Sequence, residues 1–271
     1  MKNLIVILIF SVSSSRCTQA PTKLVYSTDS DSTIFYYRLG WKQIMDYGDY
    51  SAAEVSYRKA LSFDQDFLLG KSVLARLTTD LEERLILYDE LESKKNTIKG
   101  SERLVLDVYI ALTNYTNLRD QKSPKTKEAL HKAYRISEQN LGQVIREYPT
   151  EVYLKSEYIE IIHSLHGAEA ALDSMENLVF DSQMKNPFIL GYKAILTAEL
   201  RNYDEALVYA GELAQILMEE DVARPDAILA DIYFKMEDYE SAKIHADRAN
   251  SIDPRNLDAS RLKTKIDEQL E

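Results

Sequence analysis

The chain contains a single cysteine, Cys17, among its 271 residues. No internal disulfide is available to it, so stability has to come from packing. Glycine (8) and proline (6) are scarce as well, which argues against a fold of short strands and tight turns, because such turns draw on both residues for their backbone angles. Positive charge is in deficit, with 33 Lys and Arg against 44 Asp and Glu and a net charge of −11. A chain this acidic repels a phosphate backbone, which excludes nucleic acid as a partner. Long apolar runs are also missing. The apolar run Leu4 to Phe10 falls well short of the roughly 20 residues that cross a bilayer, and no later stretch approaches that length.

Hydrophobic residues make up 45% of the chain, enough to bury a sizeable core. Tyrosine is unusually common, with 18 copies against 7 Phe and 1 Trp. Its ring packs inside while its hydroxyl reaches a rim, which suits seams between stacked helices. The first residues run Lys2, then apolar Leu4 to Phe10, then the small, mostly polar Ser11 to Ser15, the order of regions in a secretory leader. Residues 1–20 are therefore expected to be a signal peptide or lipoprotein leader, and the body to be exported to the periplasm or outer-membrane surface. Cys17 directly follows that run and is similar to the acylated cysteine of bacterial lipoproteins. Arg16 departs from the small-residue box that precedes such a cysteine, and plain cleavage near Ala20 is the competing expectation. Residues 21–32 are polar without a sustained period and are expected to be a tether.

From Thr33 onward apolar residues recur at i, i+3, i+4 spacing almost to the C-terminus, the mark of amphipathic helices. One segment returns: GDYSAAEVSYRKAL from Gly48, NYDEALVYAGEL from Asn202 and DYESAKIHADRA from Asp238. Tyr50, Ala53, Tyr57 and Ala60 occupy the same places as Tyr203, Ala206, Ala210 and Leu213, and as Tyr239, Ala242, Ala246 and Ala249. Three-and-four spacing puts each set on one helical face, where small residues let a neighbouring helix approach closely. Ala206 and Ala242 are 36 residues apart, and a weaker copy from Gly167 places Ala171 another 35 upstream. That period belongs to helix-turn-helix repeats.

In these residues the sequence resembles the tetratricopeptide repeat family, through the Gly48-Asp49-Tyr50 turn, the Ala53 and Ala60 pair, and Asp253-Pro254 closing the last copy. Leu229, Ala230 and Tyr233 complete that last copy, whereas the first departs from the pattern with Trp41 where a small residue is expected. The resemblance implies an all-α fold, a superhelical array of antiparallel hairpins over residues 33–255, with residues 256–271 as a capping helix. Residues 66 to 147 lack the full set of small residues but keep helical periodicity, and the pattern predicts helices near 67–79, 81–95, 102–117 and 125–146.

Chemistry finds little support. A Glu-x-x-His pair occurs twice, Glu128 with His131 and Glu160 with His163. A di-iron bundle would need two further carboxylates facing one core. The apolar face Leu154, Tyr158, Ile161 and Leu165 puts His163 nearly opposite, so these polar residues are expected on a solvated face. His166 and His245 are expected to be structural or surface residues. There is no nucleophile elbow and no phosphate-cradling glycine loop. No metal, cofactor or catalytic residue is expected.

What the resemblance implies is a non-catalytic scaffold that binds a protein or peptide along the concave face, lined by the first helix of each hairpin. The groove residues it implies are Phe35, Arg38, Lys42 and Met45 from the first repeat, and Arg224, Asp231, Phe234 and Lys235 from the last. The alternative is an enzyme, or a glycan- or small-ligand-binding lipoprotein, on the same frame. An open groove would favour the first reading, and a closed pocket with converging carboxylates the second.

Overall fold

The helices begin where short polar side chains can satisfy the free N–H groups of a first turn. Ser30 accepts from Thr33 N at 3.2 Å, Asp49 from Ala52 N at 2.7 Å, Asp80 from Glu82 N at 2.8 Å, Asn186 from Ile189 N at 3.2 Å and Asp238 from Ser241 N at 3.1 Å. A computed structural model describes residues 23–270, and among them it holds thirteen α-helices and no strand. They are α1 (Asp31–Lys42), α2 (Tyr50–Phe63), α3 (Leu68–Leu77), α4 (Leu81–Lys94), α5 (Gly100–Asp120), α6 (Thr126–Glu147) and α7 (Val152–His166). The remainder are α8 (Ala168–Leu178), α9 (Pro187–Glu199), α10 (Tyr203–Ile216), α11 (Arg224–Lys235), α12 (Tyr239–Ile252) and α13 (Leu257–Leu270). Consecutive helices pair as six hairpins, α1 with α2 through α11 with α12, and α13 covers the last. Helices α3 to α6 lie within a few residues of the spans that periodicity predicts. The leader, residues 1–20, and Cys17 lie outside the described residues.

The small-residue faces are the seams of the hairpins. Ala53, Ala60, Ala206, Ala242, Ala246 and Ala249 are fully buried. At α1 the same close approach is made by Gly40, where an added Cβ would lie 2.4 Å from the Tyr57 ring. Trp41, which replaces the expected small residue, sits in an aromatic cluster. It stacks on Tyr153 at a centroid distance of 6.4 Å and meets Tyr37, Tyr57 and Tyr109. Several of the abundant tyrosines thus build the core of the N-terminal half.

The segment expected to be a tether lies against this core from residue 23. Leu24 is buried and its N–H donates to Glu151 at 3.1 Å, while the Ser27 N–H and hydroxyl both donate to Glu102 at 3.0 Å. The ring of Tyr26 packs edge-on against Tyr37 and Phe67.

The array closes on itself. The turn after α12 docks on the first hairpin, where the buried carboxylate of Asp253 accepts from Tyr50 N at 2.7 Å and from the Ser51 hydroxyl at 2.6 Å. Asn256 donates to Gly48 O at 2.7 Å and accepts from Ala259 N at 2.8 Å, so one side chain both starts α13 and clasps the first turn. Arg255 pairs with Glu54 and donates to Leu77 O at 2.9 Å. Gly48 has a φ of 68°, and a Cβ there would sit 2.9 Å from the Asn256 amide, so backbone and clasp both require glycine. It ends a π-helical turn, Gln43–Tyr47, that carries the chain out of α1. Arg224 at the start of α11 reaches the same turn, donating to Ile44 O at 2.8 Å.

Replacing Asn256 by Ala removes both of its bonds and leaves a buried carbonyl unpaired, and is expected to lower unfolding free energy by about 2 to 3 kcal/mol. Ser51→Ala, which removes one bond from Asp253, should cost about 1 kcal/mol. Urea denaturation of the two variants checks both values.

Candidate binding cavity

Closure converts the concave face into a cavity of about 270 Å³. Its walls come from α1 and the π-turn (Trp41, Ile44, Met45), α2 (Tyr50, Tyr57), α3 (Arg76), α7 (Glu157, Glu160), α9 (Phe188, Tyr192, Ile195), α11 (Arg224) and α13 (Leu257, Asp258). A second cavity of about 180 Å³ shares Ile195 and Asp258 with it and continues between α11 and α13, past Asp231. The interior is thus an aromatic and aliphatic box with charged groups at its centre and a continuation on one side.

Those charges are unevenly matched. Arg76 donates to Glu157 at 2.7 Å and lies 4.7 Å from the centroid of Tyr109, whose hydroxyl donates to the other Glu157 oxygen at 2.6 Å. Burial works against the Arg76 charge, but Glu157 and the neighbouring groups raise its pKa further. Arg224 is buried, sits 5.3 Å from the centroid of Phe188 and is 3.7 Å from Asp258, and its Nε has no partner. Glu160 makes no hydrogen bond or ion pair through its carboxyl among the described residues. Burial pushes its pKa up to about 8, helped by the negative charges of Glu157 and Asp258 and opposed by Arg224 and Arg76. The Tyr192 phenol is raised first by burial and then by Glu160, Glu199, Asp258 and Asp231, so the field over α9 is acidic.

The residues expected to line a groove are dispersed. Met45 and Arg224 line the cavity, and Asp231 lines its continuation, paired with Lys235. Arg38 lines a separate cavity of about 230 Å³ beneath residues 23–26, 3.8 Å from Glu151 and 5.7 Å from the Tyr26 ring centroid. Lys42 is exposed with its ammonium 4.9 Å from the Tyr47 ring centroid, Phe35 is 61% exposed against Tyr36, and Phe234 packs on Tyr239.

The expectation for the second Glu-x-x-His pair is corrected. Instead of a solvated face, Glu160 lines the cavity, and His163 turns onto α9, bonding the Tyr192 hydroxyl at 2.7 Å and Glu199 at 3.1 Å. The reason is that α7 is packed on several sides, with Lys155, Ser156 and Glu157 buried beside Ile159, Ile161 and Ile162. A helix enclosed in this way has no solvated face for periodicity to find. The spacing did hold a usable signal: Glu157 and Glu160 are three apart, hence on one face. His166 is half-exposed near Glu138, and His245 stacks on Tyr233 and bonds Asp226. Among the described residues no three His, Cys, Asp or Glu side chains are grouped to hold a metal ion.

A carboxyl that keeps its proton to higher pH in the folded chain than in the unfolded one opposes folding as pH rises. For Glu160 the penalty begins above its ordinary value of 4.5 and grows until about 8. Glu160→Gln is therefore expected to stabilise the protein by about 3 kcal/mol at pH 7, with the gain vanishing near pH 4. Thermal unfolding of both chains from pH 4 to 8 measures it.

Comparison with known proteins adds one finding: residues 227–256 match the tetratricopeptide repeat family model. The match covers most of α11, all of α12 and the turn that carries Asp253 and Asn256. No curated protein matches the chain. The chain thus carries a match to the tetratricopeptide repeat in the last hairpin of an all-helical array.

Proposed function

We propose that this protein is an exported, non-catalytic scaffold that binds a protein partner and takes one of its side chains into the cavity lined by its hairpins. Tetratricopeptide repeats generally bind protein partners, and the last hairpin matches that family. The observation that carries the reading is that family match, and the place it offers a partner is the cavity. It is walled by the first helices of several hairpins and continues between α11 and α13, where a chain segment can leave it. Its lining offers carboxylates, guanidinium groups and phenols, and no serine, cysteine, histidine or lysine. Export rests on the leader-like order of Lys2, Leu4–Phe10 and Ser11–Ser15, and on Cys17 as the residue an acyl chain would take.

The converging carboxylates Glu157, Glu160 and Asp258 favour a second reading, in which a free small molecule or a short glycan occupies the cavity. Leu257 separates the two. It lines the cavity, yet 41% of its surface is exposed, so Leu257→Trp narrows the cavity without disturbing the core. The expected result is a specific protein cross-linked to the wild-type chain in a membrane and periplasmic fraction and lost with Leu257→Trp. Retention on a glycan or metabolite array with no protein recovered would favour the small-ligand reading. Recovery of the intact chain, residues 1–20 included, from the cytoplasmic fraction would overturn export.

A further inference from the structure

We infer that the cavity is selective for an aliphatic cation, an ammonium or guanidinium group on an apolar stem, received by Glu160. The inference deepens the scaffold reading and rests on its cavity. Three carboxylates, Glu157, Glu160 and Asp258, face two guanidinium groups there. Both cations already have acceptors, with the Arg224 Nε alone unpaired. Arg76 is held by Glu157, and Arg224 is tied to the Ile44 carbonyl and stands beside Asp258. Glu160 is the acceptor left over, partly buried in the cavity wall and with no donor from the protein. An uncompensated acid that is largely withdrawn from water is costly to a fold, and a cation supplied from outside offsets that cost on binding.

The surroundings suit a long basic side chain. Ile44, Ile195 and Leu257 offer apolar surface for the stem, and Tyr50 and Tyr192 present aromatic rings near the acid. At about 270 Å³ the cavity has room for one extended side chain and too little for a helix. Arg224 already shows how the interior holds such a group, with its guanidinium over Phe188 and its charge toward Asp258. Nearby, Glu199 and Asp231 add negative potential, partly offset by Lys235. Arg261 and Lys265 line the adjoining cavity with their side chains exposed to solvent.

Binding of a cation requires Glu160 to ionise. The groups facing it are Glu157 from its own helix, Asp258 from α13, Arg224 from α11 and Arg76 from α3. In the empty cavity the acid keeps its proton to about pH 8, so each ligand bound near neutrality releases close to one proton, and affinity rises by about tenfold per pH unit up to that value.

Trp41 is the chain's one tryptophan and lines the cavity, so its fluorescence reads occupancy directly. The probes are capped pentapeptides of alanine with a central lysine, arginine, norleucine or glutamate, and free cadaverine and agmatine, titrated into the full chain from pH 6 to 8. The expected result is binding of the lysine or arginine peptide at least tenfold tighter than norleucine, tightening with pH, and loss of both effects in Glu160→Gln. Binding of the free amines alone, with the same pH dependence, would also support the cation site while counting against a peptide as its source. Equal affinity for lysine and norleucine peptides would overturn the inference and leave peptide binding standing. Preference retained by Glu160→Gln, or no change in Trp41 emission with any cation, would overturn it as well. Calorimetry in buffers of different ionisation enthalpy counts the released proton independently.

Discussion

The contact on which the rest of the molecule depends is the docking of the Asp253–Asn256 turn on the start of α2. The amides of the first turn of that helix have no partner within it. Asp49 satisfies the one at Ala52 locally, and Asp253, about 200 residues away in sequence, satisfies the one at Tyr50. A carboxylate at a helix N-terminus also meets the positive end of its dipole. The buried charge of Asp253 is therefore compensated three times over, by Tyr50 N, the Ser51 hydroxyl and Arg255 N. With this turn in place, α1, α2 and α13 form one side of the cavity while α7, α9 and α11 form the other. Without it the concave face would be open, and Glu160 would lie in water at an ordinary pKa.

The interior then trades stability for chemistry. Most of the ionisable groups that the fold buries are matched: Glu157 between Arg76 and Tyr109, and Arg84 between Asp120 and Asn117. Even Lys155, whose pKa burial lowers to about 8, is held by the Leu178 carbonyl and Gln183 at 2.6 and 2.7 Å beside the Phe180 ring. Glu160 stands apart from this pattern. Beside it, only the Arg224 Nε lacks a partner among the buried side-chain atoms of the described residues that line the cavity, which gives the unmatched acid its meaning as a receptor for something the chain does not contain.

Much of the fold is legible in the sequence, because hairpin seams are local. Alanines three and four apart, such as Ala242, Ala246 and Ala249, announce a close helix contact whatever lies beyond it, and periodicity alone places α3 to α6. Closure is not legible. Asp253 and Pro254 read as the ordinary end of a repeat, and nothing near them indicates that Asp253 and Asn256 have partners at residues 48 to 51. The cavity is obscured for the same reason. Its charges are drawn from several helices, and Glu160 looks like a wet-face residue until α7 is seen to be packed on several sides. Met45 and Arg224 were reachable because first-helix positions of the repeats face inward, whereas Phe35 and Lys42 sit on stretches of α1 that the curl of the chain turns away from the cavity.

An open solenoid tolerates gain or loss of a repeat, because each unit meets only its neighbours. This chain has given up that freedom. Were one hairpin duplicated, the Asn256 amide would be carried past the Gly48 carbonyl and the Asp253 carboxylate away from α2. The number of hairpins is therefore held constant by geometry, as strand number is in a closed barrel. Homologues that keep both glycine at position 48 and asparagine at position 256 should differ in the lengths of their connecting turns but not in how many hairpins they join.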